Sequence, residues 1–270
     1  MSDVVRRYYD GCVEFEWSRL GDPYRRFEFA STCRLIDEHF PAEGRVADVG
    51  GGPGRYAVEL ARRRYRVSLV DLSEQAIAFA REKLEELGLK ADLVATANAT
   101  DLACLASSAF DAGLLLGPLY HLVEPADRAN ALAEFHRILK PGAPGIVGFI
   151  NPWGILRSGL EEFPDCFTDR DHIRELLGTS VQIGEQRAFT EAAFLTPAQA
   201  LAEIRAAGFA VEARAGVEGF ASGMLSQVAR IAEENPVAYE NIVELVIETC
   251  DLPAYRDCTE HLHVVVRKLA

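Results

Sequence analysis

The stretch with the most chemical content in this 270-residue chain is Asp48-Val49-Gly50-Gly51-Gly52-Pro53-Gly54. Glycines let a backbone turn tightly and approach a ligand closely. Free N–H groups at the start of a following helix favour an anionic group. Such a turn can also be a plain strand-to-helix connection with no ligand. A second carboxylate, Asp71, closes Val67-Ser68-Leu69-Val70-Asp71 and is followed by Leu72 and Ser73. There it can accept both hydroxyls of a ribose. Its other reading is a helix N-terminal carboxylate stabilised by the dipole.

These residues need elements to hold them, and the hydrophobic pattern supplies them. Short apolar runs at Arg45–Val49, Arg66–Asp71, Ala91–Thr96, Phe110–Leu116 and Gly145–Ile150 read as strands. Helical patterns separate them: Tyr56–Arg64, a helix capped by Ser73 with Ile77, Ala80, Leu84 and Leu87 on one face, and a helix opened by Pro125. Strands alternating with helices imply right-handed crossovers and a doubly wound, mostly parallel sheet. Ligands in such α/β sheets bind beyond the carboxyl ends of the strands, here just after Val49, Asp71, Thr96, Leu116 and Ile150. The first forty residues read as two helices, the second carrying Phe29, Cys33, Ile36 and Phe40. Helix Pro197–Ala207, strand Phe209–Ala215 and strand His261–Lys268 complete a seven-stranded sheet. The expected organisation is an N-terminal helical lid (1–40), a cofactor-binding core (41–150) and the rest of the sheet (151–270). Insertions at 151–195 and 218–258 are expected as further lids.

A dinucleotide site would show G-x-G-x-x-G. Here Gly50 and Gly52 fill the first positions and Arg55 the last, so the spacing is G-x-G-x-G with an aspartate two residues ahead. That resembles the first motif of class I S-adenosylmethionine (SAM)-dependent methyltransferases. The resemblance continues through Asp71; through Asn98-Ala99-Thr100-Asp101-Leu102; through Leu114-Leu115-Leu116-Gly117-Pro118-Leu119-Tyr120-His121; and through Ile138-Leu139-Lys140-Pro141-Gly142. Glu260–Val266 is similar to the closing strand of small-molecule members. The resemblance implies a Rossmann-like methyltransferase fold, SAM as cofactor and S-adenosylhomocysteine (SAH) as product. It implies Asp48, Gly50, Gly52, Gly54, Asp71, Leu72, Asn98, Ala99 and Leu116 around the cofactor. In the family Asp48 would orient the loop, and the glycines pass under the methionine part. Asp71 would meet the ribose and Asn98 the adenine edge, where aspartate is frequent. Leu116 would lie beside the methyl group.

Methyl transfer from a sulfonium is an in-line displacement, so positioning and exclusion of water dominate. A base is needed only where the acceptor must lose a proton. His121 and Tyr120, after the fourth strand, are the candidates: a neutral imidazole to accept the proton, and a hydroxyl or ring to position the acceptor. His121 also reads as a hydrogen-bonded structural residue. Gly117-Pro118-Leu119-Tyr120 lacks the acid or amide that holds exocyclic amines of bases.

The net charge of −13 opposes binding to nucleic acid or anionic membrane. The best candidate basic groove, Arg62-Arg63-Arg64 with Arg66, also reads as a solvated helix end. The six cysteines form no C-x-x-C and have no histidine cluster beside them, so no metal is expected. There is no long apolar run and no secretory leader pattern, which places the chain in the cytoplasm. The expected partner is therefore a small-molecule acceptor, with acceptor atom and oligomeric state open. A nicotinamide dehydrogenase and a non-catalytic SAM or nucleoside module are the other readings.

Overall fold

The computed structural model describes residues 3–182 and 190–269. Three helices precede the sheet: α1 (Asp3–Asp10), α2 (Val13–Arg19) and α3 (Arg26–His39). The pattern had suggested two. Gly11 closes α1 through its N–H to the Arg7 carbonyl, and Cys12 begins α2 with no side-chain cap, so the boundary left no capping signal. The buried face of α3 is Phe27, Glu28, Ser31, Thr32, Leu35 and Ile36. It is turned from the expected stripe because polar residues are buried with partners. Ser31 donates to the Val217 carbonyl at 2.9 Å and Thr32 to the Glu28 carbonyl at 2.7 Å.

The alternation then begins: β1 (Arg45–Val49), α4 (Arg55–Arg62), β2 (Arg66–Asp71), α5 (Glu74–Glu86), β3 (Leu93–Thr96), β4 (Ala112–Leu115), α6 (Pro125–Ile138) and β5 (Pro144–Ile150). α7 (Pro152–Glu162) and α8 (Arg170–Thr179) follow, then a small ribbon of β6 (Val181–Gln182) and β7 (Ala192–Ala193). α9 (Pro197–Ala206) leads to β8 (Phe209–Gly216). α10 (Leu225–Glu234), α11 (Pro236–Thr249) and α12 (Pro253–Arg256) separate it from β9 (His261–Lys268).

The main sheet has seven strands in the order β3-β2-β1-β4-β5-β9-β8. The first five are parallel, and β9 runs antiparallel between β5 and β8. The fold is doubly wound. Phe135 and Ile138 of α6 with Ile204 of α9 pack against Ala47, Val49, Leu115 and Val147 on one face. Leu35 and Ile36 of α3, Leu60 of α4 and Ile77 of α5 pack against Val46, Val67, Leu69 and Leu114 on the other. Strands buried on both faces are apolar along their length for this reason. Among the described residues no helix is long and apolar enough to cross a membrane.

The insertions behave differently from one another. α7 and α8 lie at the carboxyl edge and line the cavity described below. The segment 218–258 was expected to be a second lid there, but among the described residues none from 219–258 lines that cavity. Its apolar residues Val228, Tyr239, Val243 and Val246 are covered instead by Tyr24 and Phe27 in a separate cluster. It buttresses α3.

One packing contact shapes the sheet centre. The fully buried Phe135 ring lies over Gly113 and Gly145, which are register partners on β4 and β5. A Cβ at either glycine would come within 2.7 Å of that ring. Phe135→Ala is expected to lower stability by about 3–5 kcal/mol. Gly145→Ala should cost roughly 1–3 kcal/mol through overpacking. Urea unfolding of the two variants checks both values.

Candidate active site

A cavity of about 560 Å³ opens along the carboxyl ends of the parallel strands. Its floor is the turn between β1 and α4. Gly50 has φ +71°, and a Cβ there would sit 2.2 Å from Pro118 Cγ. The turn thus packs directly under the segment after β4, at a distance only glycine permits. Gly52 has φ +54°, and a Cβ there would meet nothing within 4 Å. Gly50, Gly51 and Gly52 line the cavity. Gly54 does not; a Cβ there would press on Ala80 at 3.1 Å, so its smallness lets α4 approach α5.

Asp71 organises this end. Its Oδ2 accepts the Gly52 N–H and its Oδ1 accepts the Ser73 N–H, both at 2.8 Å. Each oxygen keeps a further lone pair for a ligand hydroxyl. Asp48 lies beneath Gly51 and is almost fully buried. Its Oδ2 has no hydrogen-bond partner. Burial first, and Asp71 second, push its carboxyl up to about 7. A buried carboxylate oxygen without a donor fits a cationic ligand. These are the properties a ribose with an attached ammonium or sulfonium would require, so the residues present fit SAM. Leu72, Ala99 and Leu116 line the same half. Asn98 does not. Its Oδ1 accepts the Thr100 N–H at 3.1 Å within its own turn, and Ala97 and Ala99 form the wall there.

Lid side chains enclose the other half. Tyr8, Tyr9 and Phe15 come from α1 and α2, and Ile155, Phe163 and Leu176 from α7, α8 and the turn between them. Trp17 of α2 is outside this lining; the Arg55 guanidinium stacks on its ring at 5.0 Å. Two hydrogen bonds hold α1 over the site. The Ser73 hydroxyl donates to Asp10 Oδ1 at 2.5 Å, and the Tyr9 hydroxyl lies 2.7 Å from His121 Nε2.

His121 and Tyr120 both line the cavity. His121 Nδ1 lies 3.0 Å from the Glu191 carbonyl, which can only accept. Nδ1 therefore carries the hydrogen, and Nε2 accepts from Tyr9. Burial lowers the imidazole to about 4. It is neutral near pH 7, as expected, but both ring nitrogens are engaged, so an acceptor's proton could reach Nε2 only by displacing Tyr9. The Tyr120 hydroxyl lies 3.9 Å from the Cβ position of Gly117, beside the end of β4.

Sequence reasoning missed the charged inner end. Arg19 bridges Glu16 at 3.0 Å and Glu28 at 2.9 Å. Arg25 pairs with Glu162 at 3.2 Å. Tyr24 donates to Glu260, and Glu218 holds His261 at 2.6 Å. Burial opposes ionisation of Glu28, yet Arg19 carries its carboxyl down to about 2. Burial and Glu218 hold Glu260 well above the usual carboxylate range. The available signal was a pair of ionisable residues, Glu260-His261, just ahead of the apolar run Val264-Val265-Val266.

Comparison with known proteins bears on the fold and the cofactor. Residues 46–142 match the methyltransferase domain family. The tRNA 5-carboxymethoxyuridine methyltransferase of Escherichia coli (strain K12) is 25% identical over 236 residues, 87% of this chain and 84% of its own. The ubiquinone biosynthesis O-methyltransferase of Azoarcus sp. (strain BH72) is 32% identical over 151 residues, 56% of this chain and 60% of its own. A SAM-dependent methyltransferase structure from Methanosarcina mazei superposes with a TM-score of 0.60 at 17% identity, covering 87% of this chain and 97% of that one.

Asp71→Ala removes both carboxylate oxygens available to a ribose. Each charge-assisted bond is worth roughly 1.5–3 kcal/mol. SAM affinity is therefore expected to fall at least about tenfold, with the thermal transition retained. Calorimetric titration with SAM and SAH measures it, and unchanged affinity would remove Asp71 from the site.

Proposed function

We propose that this chain, a class I SAM-dependent methyltransferase by its matched domain, relatives and fold, methylates a small acceptor with an apolar body and a polar head. One observation carries this reading: the acceptor half of the cavity is roofed by lid helices, apolar on its sides and charged at its inner end. SAM supplies a methyl group already activated on sulfonium. The chain's own work is then to bind, align and exclude water.

In this reading Asp71 holds the ribose, and the Gly50–Gly52 backbone carries the methionine part past Asp48. Ala99 and Leu116 flank the adenosine and the reacting end. Tyr120 orients the acceptor with a hydroxyl that sits beside the end of β4. Tyr8, Tyr9 and Phe15 close over the acceptor's apolar body. His121 holds α1 shut through Tyr9.

A tRNA substrate is the second reading, because the Escherichia coli relative carries that name across most of both chains. Against it stand the net charge of −13 and the roof formed by α1 and α7. A nucleoside still attached to a polymer would have to displace both.

SAH release with a pool of small amphipathic metabolites, beside total tRNA at matched concentration, decides between them. Turnover is expected with a member of the pool and not with tRNA; methylation of tRNA alone would overturn the small-molecule reading. The role of His121 has its own test. Losing the latch in Tyr9→Phe or His121→Gln removes one buried hydrogen bond, about 0.5–1.5 kcal/mol. SAM affinity should fall roughly two- to tenfold, with turnover reduced to a similar degree. If His121→Gln instead lowers turnover about 10²–10⁴-fold at unchanged SAM affinity, His121 is the base.

A further inference from the structure

β9 begins at His261, which pairs in register with Ile150, the last residue of β5. This puts His261 at the carboxyl edge of the sheet, where its side chain lines the cavity. Glu218, in the turn after β8, is 2% exposed and binds His261 twice. One carboxylate oxygen lies 2.6 Å from Nδ1, and the other accepts the His261 backbone N–H at 3.2 Å. A doubly anchored carboxylate fixes both the ring's position and its tautomer. Nδ1 carries the hydrogen, so in the neutral ring Nε2 is the lone-pair nitrogen. Among the described residues Nε2 has no hydrogen-bond partner, and it is not one of the sealed-off polar atoms. It opens onto the cavity. The Tyr120 ring stands 6.3 Å away, between His261 and the end of β4.

His121 and His263 lack this combination. His121 has both nitrogens engaged. His263 is buried outside the cavity lining, with Nδ1 2.9 Å from the Thr32 hydroxyl. We infer that His261, aligned by Glu218, takes the acceptor's proton during methyl transfer. The inference rests on the methyl-transfer reading above. The acceptor's O–H or N–H bond breaks and its proton passes to Nε2. The freed lone pair forms the new bond to the methyl carbon. The carbon–sulfur bond breaks with its electron pair left on sulfur, giving SAH. The imidazolium then returns its proton to solvent. Glu218 is the positioning residue that stabilises the imidazolium as it forms.

The surroundings favour a strong base. Glu28 on α3, Glu162 on α7, Glu218 and Glu260 face His261, and His263 opposes them from the same strand. Arg19 neutralises part of Glu28, and Tyr24 donates to Glu260. Although burial alone would lower it, Glu28 and Glu218 carry the imidazole up to about 9. The folded pKa is raised, so the protonated ring predominates at neutral pH and the base form grows as pH rises. Turnover of a proton-bearing acceptor should therefore climb with pH until His261 is neutral.

The test uses the full chain labelled with ¹⁵N at histidine, titrated by NMR from pH 5 to 10 with SAH bound. His261 is expected to be protonated at Nδ1 when neutral, and Glu218→Gln should lower its midpoint by about one unit or more. A midpoint unmoved in Glu218→Gln, or a neutral ring protonated at Nε2, overturns the inference. The acceptor found by SAH release gives the second readout. His261→Gln should lose about 10²–10⁴-fold in turnover with SAM affinity unchanged, and Glu218→Gln should shift the alkaline rise of the rate to lower pH. Wild-type turnover by His261→Gln overturns the inference. If the wild type turns over no small molecule, the functional reading fails on its own and the NMR titration still decides the dyad.

Discussion

Asp71 accepts the Gly52 N–H with one oxygen and the Ser73 N–H with the other. Ser73 in turn caps α5 through Ala76 and donates to Asp10 at the end of α1. One carboxylate thus fixes the glycine turn, the start of the following helix and the lid above them. Because the turn is so placed, Gly50 can press against Pro118 and bring the end of β4 over the same floor. The cofactor half of the cavity is the space these contacts leave. The parallel sheet makes it possible by ending β1, β2 and β4 side by side.

The half under the lid helices is built on another principle. Its inner end contains paired charges taken out of bulk water: Arg19 with Glu16 and Glu28, Arg25 with Glu162, and Glu218 with His261. Pairs of this kind contribute little net stability, because desolvation cancels most of the attraction. What they provide is fixed geometry: Arg19 with Glu28, Arg25 with Glu162 and Glu218 with His261 each join different elements, so the polar groups there are held in place before a ligand arrives. Tyr120, which follows β4, lines the cavity, with its hydroxyl near Gly117 and its ring 6.3 Å from that of His261.

This division explains what could be read from the chain. The β1 turn, Asp71 and the β4 segment are contiguous motifs whose function depends on local backbone shape, and strands of the right period flank them. The succession of strands and helices and the cofactor end were legible for that reason. Asn98 lies outside the cavity lining and its amide oxygen serves its own turn, a competition between side chain and backbone that spacing does not reveal. The acceptor end was mostly illegible because its contacts are remote in the chain. Tyr9 and His121 are 112 residues apart, and Tyr24 and Glu260 are 236 apart. Ionisable residues such as Glu28 and His261 look like ordinary surface positions until the fold buries them. The segment 218–258 shows the converse: its amphipathic helices announced an insertion, but only tertiary packing on Tyr24 and Phe27 says where it goes.

α1 is a short helix with a single buried residue, Val5. Among the described residues Tyr9 and Asp10 each add one hydrogen bond to the core. Burial of a valine is worth about 1.5–3 kcal/mol and each bond about 0.5–1.5 kcal/mol. These sums are well below the stability of a whole domain, so α1 can detach while the sheet stays intact. Anything bound beneath it adds its own contacts to that small total. Amide hydrogens of α1 are therefore expected to report occupancy, exchanging more slowly when the space below is filled than when it is empty.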